Sequence, residues 1–229
     1  MQKAVSPTEY RQQLRARIIK TAEQEFRVRG ANAVKMDDIA NILSISKRTL
    51  YEIFTNKEEL LLESVKEESR AFDEHMRVFY EEDEHHNVMD LILEFYKYQM
   101  RRLSGLAPTY FADIHKFPPV IAWIKQKNAE NRARSLEFFQ KGVEQGYFRS
   151  DVDYELISKV GGASMDYVMA HQLYKRYSLF HLHRNVTMLY IRGLCTIKGI
   201  EVLDQKLAEL INEDVNSRPL KMYLFTGIQ

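Results

Sequence analysis

The sequence predicts an all-α fold, and three observations carry that expectation. Of 229 residues only 9 are glycine and 5 proline, roughly half the usual share. A sheet-rich fold of this length needs many tight turns built from those two residues, so their scarcity favours long helices with few connections. Apolar residues recur at helical spacing along most of the chain, without strand-like alternation. Helix start and stop residues also punctuate that periodicity in the right order.

Ser6, Pro7 and Glu9 mark the first start: an N-cap serine, a proline at the first helical position and a glutamate placed for a capping box. Leu14, Ile18, Ala22 and Phe26 follow on one face, and Gly30 supplies the stop. Met36, Ile39, Ala40 and Leu43 fit a short helix with Asp37 and Asp38 in its first turn, where the helix dipole favours them. After Ser44-Ile45, Ser46 reads as the N-cap of another short helix. Asn56 caps the next, with Glu59 at its third position, and Leu60, Leu61 and Val65 carry that helix to about Tyr80. Glu81 to His86 reads as a solvated loop. Periodicity resumes from Val88 to Leu103 and breaks at Gly105 and Pro108. A short segment from Tyr110 to His115 precedes Pro118-Pro119, and one long helix is then expected to reach Gln145 before Gly146. Asp153 caps a helix through about Tyr174. Val186, Leu189, Tyr190, Leu194 and Ile197 mark a last long helix, either continued or followed by one from Leu203 to Leu210.

The chemistry lies in the two short helices. Two such helices joined by a tight turn, after a longer one, form a helix-turn-helix pattern. Its second helix must show polar and basic side chains at its N-terminal end and pin itself down with apolar residues behind. Ser46, Lys47, Arg48 and Thr49, backed by Leu50 and Phe54, have that division. Arg48 suits bidentate contact to a guanine, Thr49 a thymine methyl or a phosphate, and Tyr51 backbone oxygens. Lys57 adds its charge to the free amides of the next helix start, a natural phosphate site.

From Ile19 to Leu60 the residues resemble the DNA-binding domain of the TetR family of bacterial transcriptional regulators. The resemblance rests on Ile19, Ala22, Phe26 and Gly30, on Val34, Met36, Ile39 and Ala40, on Ser46 to Tyr51 with Phe54, and on Asn56 to Leu60, in order and with spacing intact. Four positions depart from the family pattern. Ala31 replaces an aromatic residue, Lys35 a Ser or Thr cap, Ser44 a turn glycine, and Ile53 the His or Tyr that often meets the DNA backbone. At position 35 the lysine is within reach of a phosphate.

The resemblance implies a homodimer that places one recognition helix in each of two successive major grooves of a pseudo-palindromic operator. It also implies a repressor in which residues 1–56 read DNA and residues 57–229 form a helical domain for dimerisation and effector binding. For the dimer, the small residues Gly161 and Ser164 and the group Tyr190, Gly193, Leu194 and Ile197 suit close helix–helix approach. For a small hydrophobic or aromatic effector, Tyr96, Met100, Phe111, Trp123, Met165 and Met169 offer bulky, adaptable side chains, with His115 as a polar anchor; ordinary core packing accounts for the same residues.

Composition excludes several classes. One cysteine makes neither an internal disulfide nor a multi-thiolate metal site, and Cys195 reads as a small buried residue. No run approaches the ~18 apolar residues of a membrane span, so a cytoplasmic chain with no membrane partner is expected. No phosphate-binding glycine loop, nucleophile elbow or HExxH helix is present, so neither an enzyme nor a cofactor is expected. His85-His86 and the His181/His183 pair are too poorly spaced for metal. The net charge of +1, taken alone, argues against nucleic acid, but it is unevenly spread. Residues 1–58 hold 11 Lys and Arg against 7 Asp and Glu, and the remainder 22 against 25. A basic reading head joins a mildly acidic body. The alternative is a helical protein-interaction module whose helix-turn-helix does not read DNA.

Overall fold

A computed structural model describes residues 7–217, so Ser6 lies outside the described residues. Those residues form α1 (Pro7–Arg29), α2 (Met36–Ile42), α3 (Lys47–Tyr51), α4 (Lys57–Glu82), α5 (Val88–Leu103) and α6 (Tyr110–Ile114). They continue with α7 (Pro118–Glu130), α8 (Arg132–Glu144), α9 (Tyr154–Ala170), a 3-10 turn (Leu173–Lys175), α10 (Leu179–Leu194) and α11 (Ile197–Ser217). No strand occurs among them, and the all-α expectation holds.

The first three helices pack on α4. Leu14, Ile18, Ala22 and Phe26 of α1 are buried with Ile39 and Ala40 of α2, Leu50 and Phe54 around α3, and Leu60, Leu61 and Val65 of α4. Tyr110 and Ile114 of α6 and Val120 of α7 belong to the same core, so the helix-turn-helix is seated on the following helices. A second core joins Val88, Met89 and Ile92 of α5 to Phe148, Cys195 and Leu203. Around it, Phe139 and Tyr154 stack with ring centroids 4.7 Å apart.

The expected boundaries fail in four places. The long helix after Pro118 is interrupted at Asn131, where the Asn131 side chain accepts from Arg134 and the Ser135 hydroxyl donates to the Asn131 carbonyl at 3.1 Å. Such side-chain bonds compete with and bend helical backbone. α9 stops short of Tyr174 because Gln172 takes a left-handed conformation (φ 53°). The last long helix divides at Cys195, which forms an isolated antiparallel bridge with Phe148. There Arg149 N–H donates to the Leu194 carbonyl at 2.9 Å, and Thr196 N–H donates to the Tyr147 carbonyl at 2.9 Å. Ile197 thereby opens α11. α4 also continues to Glu82, into the expected loop, where His86 stacks on Phe79 with centroids 4.1 Å apart.

Candidate functional site

α3 presents its basic turn outward. The Ser46 hydroxyl caps it by accepting from Thr49 N–H at 3.0 Å, and Leu50 is fully buried beneath. On the outer side, Lys47 pairs with Asp37 at 2.5 Å and Arg48 with Glu52 at 2.9 Å. Arg48 is 88% exposed and Tyr51 49% exposed. Exposed pairs of this kind are weak and screened by solvent, so a phosphate or base edge exchanges with them at little cost. The Asp37 contact raises the Lys47 pKa, keeping the ammonium charged.

The turn between α2 and α3 runs through Ser44 at φ 53°, a conformation suited to glycine. Lys35 precedes α2 with its side chain exposed, and its N–H donates to the Asp38 carboxylate at 3.0 Å. This bond is the first cause of a lowered Asp38 pKa. Asp38 thus supplies one half of a capping box, while the Asp38 N–H, with no side-chain acceptor at Lys35, donates to the Lys35 carbonyl at 3.1 Å.

Lys57 sits elsewhere than a phosphate contact requires. Its ammonium donates to the carbonyls of Ala31, Asn32 and Val34 at 2.9, 3.3 and 3.1 Å. Desolvation lowers its pKa. From the opposite side, the buried carboxylate of Asp113 on α6 accepts from Asn32 N–H at 3.0 Å and from the Asn32 side-chain amide at 2.5 Å. The α1–α2 turn is therefore held by α4 and α6 together. Gly30 makes the approach possible: at φ +84°, a Cβ there would lie 2.8 Å from Thr109 Oγ1 and 2.9 Å from Asp113 Oδ2. The sequence signal for this clamp is weak, because Asp113 is 81 residues from Asn32.

A cavity of about 350 Å³ lies among α1, α4, α5, α6 and α7. Phe111 and Trp123 line it, whereas Tyr96, Met100 and His115 do not. Tyr96 is buried in the fold, and His115 is exposed with its ring nitrogen 2.7 Å from the Phe111 carbonyl. The side chains of Met165 and Met169, on α9, lie outside the described residues. Sequence reasoning missed the cavity's charged wall, where Arg27 and Arg102 converge on Glu68.

The small-residue surface is partly internal. Ser164 Oγ and Tyr190 OH lie 2.6 Å apart within one chain, and Leu194 is buried in its own subunit's core. Gly161 and Gly193 have open space where a Cβ would stand. Ile197 is 78% exposed and Leu189 71% exposed. On α9, Leu156, Val160, Ala163 and Tyr167 recur on one helical face, all exposed.

An exposed, basic, N-capped helix on a buried three-helix core defines a helix-turn-helix DNA-binding protein. Residues 18–64 match the family of bacterial regulatory proteins, tetR family. That segment is similar to the DNA-binding part of TetR-family transcriptional regulators. The chain is 25% identical over 159 residues to the HTH-type transcriptional repressor KstR2 of Mycobacterium tuberculosis, a match spanning 62% of this chain and 73% of that protein. Its fold resembles a transcriptional regulator from Saccharomonospora viridis in complex with choline, with TM-score 0.62 and 17% identity over 81% of this chain and 99% of that one. It also resembles the fatty acid degradation regulator FadR from Bacillus halodurans, with TM-score 0.57 and 21% identity over 84% and 98%. All three are named as repressors or regulators. Among the described residues, no helix is long and apolar enough to cross a membrane.

Proposed function

We propose that this protein is a homodimeric repressor that binds a pseudo-palindromic operator and is released by a small effector held in the α4–α7 cavity. The observation that carries DNA reading is α3 itself: Lys47, Arg48, Thr49 and Tyr51 face solvent while Leu50 and Phe54 anchor the helix. Lys35, exposed at the start of α2, is read as a further phosphate contact. A dimer would carry roughly +8 along one face, so operator binding should weaken steeply with salt as counterions are released. Gel shifts with the DNA upstream of the gene test this. A Lys47→Ala/Arg48→Ala variant should lose operator binding by at least tenfold, and unchanged binding would remove the assigned face. A salt-independent interaction would favour the protein-interaction module instead.

The exposed apolar face of α9, together with the exposed Leu189 on α10 and Ile197 on α11, supports a partner helix pair from a second subunit. Release follows from the mounting of the reading head. α4 and α6 line the cavity and also hold the α1–α2 turn through Lys57 and Asp113. A ligand that repositions them changes the separation of the two recognition helices. Its power is bounded by its differential affinity for the two arrangements.

A further inference from the structure

The cavity has two unlike walls. Phe72, Phe111, Trp123 and Ile124 supply an apolar one. The other is charged: Arg27, Arg102 and Lys127 line the cavity against a single lining carboxylate, Glu68. Lys127 is neutralised outside the lining by Asp73 at 2.6 Å. The two guanidiniums share Glu68, with the Glu23 carboxylate also acting on Arg102 and the Tyr98 ring beneath it at 5.8 Å. Arg27 reaches Glu68 Oε1 at 2.7 Å, Arg102 contacts the same oxygen, and the Tyr110 hydroxyl donates to Oε2 at 3.2 Å. Both Glu68 oxygens are thus occupied, while two guanidiniums carry ten N–H donors in all. Arg27 spends a further donor on the Arg102 carbonyl at 2.5 Å.

We infer that the cavity takes a ligand with an apolar body and an anionic head, the head bound by Arg102 beside Arg27. A carboxylate or a phosphate monoester supplies that head, since guanidinium pairs bidentately with either. Burial first, and then the neighbouring Arg27 cation, pull the Arg102 pKa down to about 10, against the opposing influence of Tyr110 and Glu23. Arg102 therefore stays charged near neutrality, in a setting that an anion relieves and a cation worsens. This rests on the effector reading for its biological use, though not for the binding.

The sole tryptophan, Trp123, lines the cavity and reports its occupancy by fluorescence. Full-length protein is titrated with octanoate, octyl phosphate, octanol and octyltrimethylammonium. At least one anion should bind at least tenfold tighter than both octanol and the cation, and the better anion identifies the head. Arg102→Met, which keeps the Arg27–Glu68 pair, should lower that anion's affinity to the octanol level. The inference is overturned if the anionic preference is below tenfold, if no compound binds, or if folded Arg102→Met retains the preference. Should Arg102→Met not fold by circular dichroism, the wild-type series decides alone. An anion that binds as expected but leaves operator gel shifts unchanged overturns the effector reading and leaves this one standing.

Discussion

Single residues set the geometry of the reading head. Ser44 holds a left-handed backbone at φ 53° without being glycine, a conformation costing an L-residue about 1–2 kcal/mol. Ser44→Gly relieves that cost while adding unfolded-state entropy worth about 0.4–1 kcal/mol, so the variant should be more stable by up to about 1 kcal/mol in urea melts. A loss of stability would mean that the Ser44 hydroxyl matters more than its backbone. Asp113 should be costly to remove, because Asp113→Ala leaves the N–H and side-chain amide of Asn32 without their acceptor. The expected loss is about 1–3 kcal/mol, with weaker operator binding. Asp38 adds a pH term. Its folded pKa lies below the ordinary value of 3.8, so its contribution is present above that value and disappears as pH falls through the folded one. The stability gap between wild type and Asp38→Asn, measured by urea midpoints, should close as pH falls toward 2.

At the scale of the element, α3 is a five-residue helix that does not stand alone. Its N-cap and its anchor, Leu50, hold it. Leu50→Ala should cost about 2–5 kcal/mol and abolish DNA binding through loss of the fold. The charged side is the opposite case. Glu52→Gln releases Arg48 from an exposed pair, and operator affinity should rise by about 1.5- to 5-fold, the reach of a surface ion pair. An unchanged gel-shift affinity would show that Arg48 does not reach DNA.

For the whole molecule, the test is assembly. Leu189 and Ile197 are exposed on one chain without a packing role there, so Leu189→Glu/Ile197→Glu should preserve helical content while shifting sedimentation to the monomer. Operator affinity should then fall by about a hundredfold or more, because the second half-site no longer benefits from effective concentration. A dimer that survives both charges would place the interface elsewhere.

Helix existence and the capped basic turn of α3 were legible from the chain, because both arise from local relations: apolar spacing, a capping hydroxyl, a run of basic residues before Leu50. The order α1 to α6 follows from those signals nearly residue for residue. Tertiary contact decided what local pattern does not encode. The division at Cys195 comes from pairing with Phe148, 47 positions earlier by number. Lys57 turned inward because three carbonyls of a distant turn lie within its reach. The cavity followed from where Arg27, Glu68 and Arg102 meet, and a one-dimensional reading sees three surface charges on three helices. A sequence states which faces are greasy and where helices start; only packing brings remote charges together where partial burial makes them act on one another.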